Sequence, residues 1–376
     1  MKEIRLFKPS VGKEELQSIQ SAFDRAWLGL GPKVLEFEQK WSEFIGSGAS
    51  VGVNSCTAAL HLALSAYRFP KGKKVLVPVM TFASTAMAIL YNQLEPVFVD
   101  VDEHTLGISL KDLDQKYTKE CVAVMPVHFA GHPVQMDQLM AWAKARHVKV
   151  IEDCAHTAGG KYKGKSLGTW GDIGCFSFEE KKCMTTGDGG MISSDDQELL
   201  KPLRHARWVG INKDTWERHM DNGVGNLEAN HWYYEISELG YKYNMNDLMA
   251  SIGLVQLQKL EKMNRRREAL LHRYLSGMRK EGAVKAAVPY VLRDSSYWAF
   301  MVRVKERNRF IIEMKENGIA TGVHYMPLTL HPLFLRYQSD TPIAYRVWKE
   351  LVTLPLFPEL SFDEIDYILS AMNGFQ

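Results

Sequence analysis

The chain has 376 residues, 46% hydrophobic and 24% charged, a balance that suits a globular protein long enough for two packed domains. A formal net charge of +2 leaves no electrostatic footprint for a nucleic-acid partner. Five cysteines (Cys56, Cys121, Cys154, Cys175, Cys183), odd in number and unpaired in spacing, argue against a disulfide framework or a metal site and predict reduced thiols in a cytoplasmic protein. The start, Met1-Lys-Glu-Ile-Arg-Leu-Phe7, lacks a signal-peptide apolar run, and no later stretch is long enough to span a bilayer, so no membrane association is expected.

Residues 14–26 carry a helical period, with Leu16, Ile19, Ala22, Phe23 and Ala26 on one side. A second helix over 34–44 has Leu35, Phe37, Trp41 and Phe44 as its apolar set. The glycine-punctuated loop Trp27-Leu-Gly-Leu-Gly-Pro32 joins them. A short strand from residue 50 runs into a turn and a helix over 58–67, for which Ser55 and Thr57 are natural N-caps. A helix N-terminus also offers free N–H groups and a positive dipole end to a phosphate. Strands at 75–79, 96–101, 122–127 and 148–153 then alternate with helices at 82–91, 110–117 and 136–147. This alternation predicts an α/β fold with a mostly parallel sheet covered on both faces. Ligands of such sheets gather beyond the carboxyl ends of the strands, which singles out Thr81, Phe82, Asp153 and the stretch 177–182 together.

Gly174-Cys-Phe-Ser-Phe178 reads as a buried strand, and Ser177 points away from the face of Phe176 and Phe178. A polar turn with Lys181 and Lys182 follows, then a Gly-rich hairpin into a strand at 191–193. A lysine just past a buried strand is desolvated, which lowers its pKa and makes it a nucleophile toward carbonyls. Asp153, ending its strand, could simply cap the next segment, but beside a lysine turn a functional reading gains weight. A helix is expected over 196–207. The stretch 208–240 is polar, aromatic and aperiodic, a length that is uncommon unless it carries function. A long helix over 248–267, capped by Asn246, has Leu254, Leu257, Leu260 and Met263 as its stripe and ends in a basic run at 265–267 that reads as a solvated face. A strand at 298–304, a helix at 307–317, a strand at 319–325 and helices at 342–352 and 362–372 suggest a smaller α+β domain. The expected division is 1–250 and 251–376, linked by the long helix.

The lysine turn, Phe176-Ser-Phe-Glu-Glu-Lys-Lys-Cys-Met-Thr-Thr-Gly-Asp-Gly-Gly190, resembles the cofactor-lysine segment of the DegT/StrS sugar aminotransferases. That pattern is Phe-Ser-Phe, three residues, Lys, two residues, Thr-Thr-Gly-Glu-Gly-Gly, which puts Lys182 rather than Lys181 in register. Glu152-Asp-Cys-Ala-His156 is similar to the family's Glu-Asp-Ala-Ala-His or Gln. Ser55-Cys-Thr57 matches its Asn-Gly-Thr turn, with Cys56 in the place of glycine. Gly240-Tyr-Lys-Tyr-Asn-Met245 and Gly322-Val-His-Tyr-Met-Pro-Leu-Thr-Leu-His-Pro332 match two more motifs, with Thr329 where histidine is common. The motifs fall in the family's order and cover nearly the whole chain.

The resemblance implies a large domain with a mostly parallel seven-stranded sheet sandwiched by helices that binds pyridoxal 5′-phosphate, a smaller C-terminal domain, and a homodimer. It implies Lys182 as the cofactor lysine, Asp153 as partner of the ring nitrogen, His156 near the phenolic oxygen and Phe82 stacked on the ring. Ser55, Cys56, Thr57 and Ser177 would surround the phosphate, joined by Asn244 of the neighbouring subunit, and 208–240 would cross the dimer interface. Trp27, His324 and Tyr325 are the implied substrate residues; Glu179, where related chains commonly carry His or an uncharged residue, is a further candidate because of its charge. The implied reaction moves an amino group from glutamate to a nucleotide-linked keto sugar, most readily a 4-keto-6-deoxyhexose, for a surface polysaccharide, a lipopolysaccharide O-antigen or another glycan. A sugar dehydratase or a non-catalytic regulator on the same fold is the alternative; Lys182 speaks against the first, and the set Lys182, Asp153 and Ser177 against the second. Two carboxylates at Glu179 and Glu180 would repel an anionic substrate unless Lys181 offsets them, so one of them is expected to face the sugar or a neighbouring loop.

Overall fold

Each short apolar run of the N-terminal half lacks polar alternation and so needs cover on both faces. A computed structural model describes residues 3–213, 233–290 and 296–376, and there these runs become β1 (Ala49–Val53), β2 (Lys74–Pro78), β3 (Glu95–Val99), β4 (Cys121–Val124), β5 (Lys149–Asp153), β8 (Ile173–Ser177) and β9 (Gly190–Ser194). They form one sheet in the order β1-β9-β8-β5-β4-β2-β3, in which β9 alone runs against the rest. Helices α2 (Pro32–Ile45), α3 (Cys56–Ser65), α4 (Ala83–Tyr91), α6 (Met136–Arg146) and α7 (Gln197–Ala206) pack on its strands. α1 (Lys13–Asp24) packs on the long helix α8 (Asp247–Gly277), and α5 (Leu110–Lys116) on β3. The carboxyl ends of β1, β2, β5 and β8 and the start of β9 meet at one edge, where the sequence motifs converge.

Toward the C-terminus, β10 (Val284–Ala286), β11 (Phe300–Val304) and β12 (Leu351–Leu354) form an antiparallel sheet. α9 (Arg307–Glu316) packs against that sheet and α11 (Phe362–Gly374) against α8. α8 serves two apolar cores: Leu254, Leu257, Leu260 and Met263 join the core of the large sheet, and Leu270, Leu271 and Tyr274 join the C-terminal one. Asn246 caps α8 by accepting the Met249 N–H at 2.9 Å. Among the described residues no helix is long and apolar enough to cross a membrane.

Several expectations need correction. α8 runs ten residues past 267, and Arg267 is buried against Asn264 while Arg266 donates to the carbonyls of Pro358 and Leu360, so only Arg265 fits a solvated face. α1 turns Glu15 inward to Gln256 and Lys259, which leaves Leu16 (67%) and Phe23 (55%) exposed. Residues 319–325 form no strand: Ile319 bridges Ile4 and Gly322 bridges Thr353, two single bridges to different partners. The helix expected over 342–352 is α10 (Pro342–Glu350), because Leu351 and Val352 pair with β11 instead. β10 and the small hairpin β6 (Lys161–Tyr162) and β7 (Lys165–Ser166) are strands that periodicity did not reveal. Of the stretch 208–240, residues 214–232 lie outside the described residues; its flanks are joined by an Ile211–Ile236 bridge.

Candidate active site

At the converged strand edge lies a cavity of about 390 Å³. Ser55, Cys56, Thr57, Phe82, Asp153, His156, Ser177, Glu179, Lys182, His324 and Tyr325 all line it. Trp27, Asn244 and Glu180, also singled out from sequence, are absent from its wall.

The lysine turn is fixed by backbone bonds before any ligand arrives. Phe178 donates its N–H to Gly189 and accepts that of Thr186, both at 2.9 Å, and Lys182 N–H donates to the Glu179 carbonyl at 2.9 Å. Phe176 and Phe178 pack edge-on to Trp41 in the core, and this anchors the strand that ends at Ser177. Ser177 faces the cavity instead, and its hydroxyl accepts the Glu179 N–H at 3.4 Å. Burial pushes the Lys182 ammonium pKa below its ordinary value, opposed by the charges of Glu179 and Asp153.

Asp153 ends β5 and is buried. One oxygen accepts the Thr85 hydroxyl at 2.8 Å and the other the Ala155 N–H at 3.1 Å. Thr81 and Thr85 hydroxyls pair at 2.9 Å and fix that contact. Burial raises the Asp153 pKa, while these two bonds and Lys182 pull it down. The preceding Glu152 points the other way: it accepts the N–H groups of Gly168, Trp170 and Gly171 and meets His128 Nε2, so it ties down the adjoining loop.

His156 is buried, and burial, with help from Lys182, holds its pKa well below the usual range, so the ring is neutral. Its Nδ1 accepts the Ala130 N–H at 3.3 Å, which leaves the hydrogen on Nε2, 3.3 Å from the Tyr325 hydroxyl. Burial likewise raises the Tyr325 pKa, keeping the phenol protonated. His324 meets the Thr353 hydroxyl at 2.8 Å, and burial lowers its pKa to about 4.

On the opposite wall, Ser55 caps α3 by accepting the Ala58 N–H at 3.1 Å. Thr57 is inside the helix, and its hydroxyl pairs with Ser84 at 2.7 Å. First-turn N–H groups at Cys56 and Thr57 have no acceptor within the helix. β9 passes so close that a Cβ on Gly190 would sit 2.6 Å from the Ser55 carbonyl and 2.7 Å from the Cys56 nitrogen. Burial raises the Cys56 pKa, so this thiol is neutral. Phe82 opens α4 and stays 58% exposed at the cavity, its ring centroid 6.0 Å from that of Tyr325.

Glu179 stands at the rim, accepts the Lys181 N–H at 3.0 Å and lies 3.9 Å from the Lys181 amine. Glu180 lies 4.0 Å from the same amine and is exposed. Trp27 donates its indole N–H to Leu30 at 3.0 Å within its own loop; Asp247 holds that loop by donating its backbone N–H to the Leu28 and Gly29 carbonyls, and accepts the Lys33 and Val34 N–H groups at the start of α2. Asn244 bridges Val53 and donates its side-chain amide to Met245 at 3.0 Å.

Sequence reasoning missed Thr85, Phe7 and Trp298. Thr85 was within a recognised stretch and carried a polar hydroxyl one helical turn past Thr81, a usable signal. Phe7 and Trp298 reach the cavity only through tertiary packing.

A family model described as the DegT/DnrJ/EryC1/StrS aminotransferase family matches residues 9–373. The chain is 37% identical over 378 residues to the spore coat polysaccharide biosynthesis protein SpsC of Bacillus subtilis, covering 97% of this chain and 95% of that one. Among solved structures, the sugar aminotransferase CalS13 of Micromonospora echinospora superposes with a TM-score of 0.89 at 29% identity, covering 98% and 99% of the two chains. Spr1654 of Streptococcus pneumoniae is similar in its PMP-form (TM-score 0.90, 30% identity, 98% of each chain) and its PLP-form (0.89, 29%, 99% and 98%).

Proposed function

The chain belongs to the DegT/DnrJ/EryC1/StrS aminotransferase family, and on that premise we propose that it moves an amino group from glutamate to a nucleotide-linked keto sugar. It is a pyridoxal phosphate-dependent transaminase. The favoured acceptor is a 4-keto-6-deoxyhexose, and the product feeds a surface polysaccharide or glycan from the cytoplasm. The observation that carries this reading is one cavity that joins a desolvated lysine, a buried carboxylate and a helix N-terminus. The likeness to SpsC, a spore coat polysaccharide biosynthesis protein, and to CalS13, a sugar aminotransferase, supports the sugar and the polysaccharide.

The residues fit the cofactor. The N-terminus of α3 suits its phosphate, Gly190 leaves the backbone there uncrowded, and Phe82 offers an exposed ring face. When bound, pyridoxal phosphate supplies a cationic ring that accepts the electron pair of the donor's α-carbon. Lys182 would be the cofactor lysine and the base that takes the donor's α-proton and gives it back; burial weakens its hold on a proton, which favours the neutral amine that such a base requires. Asp153 would hold the proton on the ring nitrogen, with Thr85 and Ala155 orienting the carboxylate and favouring its ionised form against the pull of burial. His156 and Tyr325 form one hydrogen-bonded pair that can donate to the phenolic oxygen without adding charge.

Ser55, Cys56, Thr57 and Ser177 hold the phosphate by backbone N–H groups and hydroxyls, and the neutral Cys56 thiol brings no repulsion. Glu179 faces the sugar while Lys181 offsets its charge toward the nucleotide. His324 and Tyr325 border the substrate. Trp27 and Asn244, outside this chain's cavity, serve the site of the second subunit in a homodimer. In this reading residues 1–250 hold the cofactor and 251–376 close the cavity through Trp298, His324 and Tyr325.

The test is incubation with glutamate and a panel of nucleotide-linked keto sugars, read by electrospray mass spectrometry. Replacement of a ketone oxygen by an amine in one member supports the assignment. Loss of a hydroxyl without amination, or no mass change in any member at full cofactor loading, contradicts it.

A further inference from the structure

Trp298 is 3% exposed and lines the cavity beside residues whose tasks are assigned above. His156 stacks on its indole with centroids 4.0 Å apart and 4° between planes, and Phe7 stacks on it at 4.8 Å and 13°. Its backbone N–H donates to the Ala130 carbonyl at 3.1 Å, so the side chain is presented from a fixed point. Two contacts then converge on one turn. The indole N–H donates to the Lys181 carbonyl at 2.7 Å, and the Lys182 Nζ lies 4.6 Å from the indole ring centroid. The first holds the peptide that precedes the lysine; the second is within cation–π range of the side chain's end.

We propose that Trp298 is the positioning residue for the Lys182 amine, gripping the turn through its N–H and the charged end of the side chain through its π system. This rests on the assignment of Lys182 as the cofactor lysine. During proton transfer that amine alternates between neutral and cationic in a site that burial makes hostile to the cation. Other groups facing it are Glu179 and Cys183 from its own turn, Cys56 from α3, Asp153 from β5, His156 and His324. Of these, Glu179 and Asp153 favour the cation and the two histidines are neutral, so the indole adds a stabilising contact that needs no counter-charge. It also confines the amine to one arc, which a base serving two carbons requires.

The test compares Trp298→Leu and Trp298→Phe with wild type as cofactor-loaded full chains. Three quantities are read: the pH midpoint of the visible cofactor–lysine band, the glutamate half-reaction by stopped flow (kcat and KM separately), and the melting temperature. Trp298→Leu is expected to lower the midpoint by about one pH unit, since a desolvated cation–π contact is of that size. It should lower kcat about 10–100-fold with the glutamate KM within about threefold. Trp298→Phe keeps a weaker ring and loses the N–H, so it should fall between the two, and it carries the test if the leucine variant does not fold. A folded variant with wild-type midpoint and kcat overturns the proposal. So does a drop in melting temperature and cofactor occupancy with the midpoint unmoved, the mark of a merely structural tryptophan. A band that persists in Lys182→Ala overturns the cofactor-lysine assignment itself and is distinguishable from both.

Discussion

Replacing Asp153 by asparagine separates the charge of this residue from its shape. In the cofactor-free protein its two oxygens accept one hydroxyl, Thr85 at 2.8 Å, and one backbone N–H, Ala155 at 3.1 Å. An asparagine oxygen can keep the Ala155 bond. Its NH₂ then meets the Thr85 hydroxyl, which can turn its hydrogen to the Phe82 carbonyl at 3.2 Å and accept instead. The Ala155 N–H and the Thr85 hydroxyl each keep a partner, so the variant loses chiefly the charge-assisted part of two bonds, about 1 kcal/mol. Against that, burial penalises the wild-type carboxylate and raises its pKa. The folded state therefore holds this proton more tightly than the unfolded chain. That contribution to wild-type stability is present below the unfolded value of about 3.9 and is lost as pH rises through the folded pKa. Urea unfolding of the cofactor-free forms should show Asp153→Asn within about 1 kcal/mol of wild type, with its relative stability improving from pH 4 toward neutrality. Turnover should fall about 10²–10³-fold, the usual cost of deleting one preorganised electrostatic partner. Asp153→Asn with wild-type turnover, or destabilised by more than about 3 kcal/mol, would refute this account of the carboxylate.

Phe82→Ala should leave cofactor-free stability within about 0.5 kcal/mol, because the ring is 58% exposed, but weaken cofactor binding about 2–10-fold by equilibrium titration. Burial holds the His324 pKa down at about 4, so the unfolded chain takes up this proton first as pH falls and stability is lost between about 6.5 and 4. His324→Asn should flatten that loss in urea melts recorded across the range; an unchanged pH slope would contradict it. If Asn244 serves the partner's site, mixing inactive Lys182→Ala with impaired Asn244→Ala subunits should restore activity in the hybrids, and no gain on mixing argues against a shared site.

How much of this could be read in the chain depends on how local each cause is. β2 to β5 and β8 announced themselves as short apolar runs between amphipathic helices, because a strand buried on both faces must be apolar throughout. Asp153, Ser177 and Lys182 were legible for the same reason: they end such strands, and the topology gathers strand ends. Residues 319–325 misled because an apolar run does not say whether a ladder partner is in reach; Ile319 and Gly322 found one bridge each, to Ile4 and Thr353. Leu351 and Val352 continued the apolar period of α10, and only pairing with β11 turned them into a strand. Leu16 and Phe23 looked like a buried stripe, but the hydrogen bonds and ion pairs of Glu15 turned α1 the other way. Trp298 left no local trace, since its neighbours Phe7, His156 and Lys182 all lie far off in the chain.

The most direct test of the central assignment is the absorption spectrum of purified wild type and Lys182→Ala, each loaded with pyridoxal phosphate, before and after addition of glutamate. The account predicts a cofactor–lysine band in wild type alone, converted by glutamate to the spectrum of the aminated cofactor. The same band in Lys182→Ala, or a wild-type band that glutamate leaves unchanged, would contradict it.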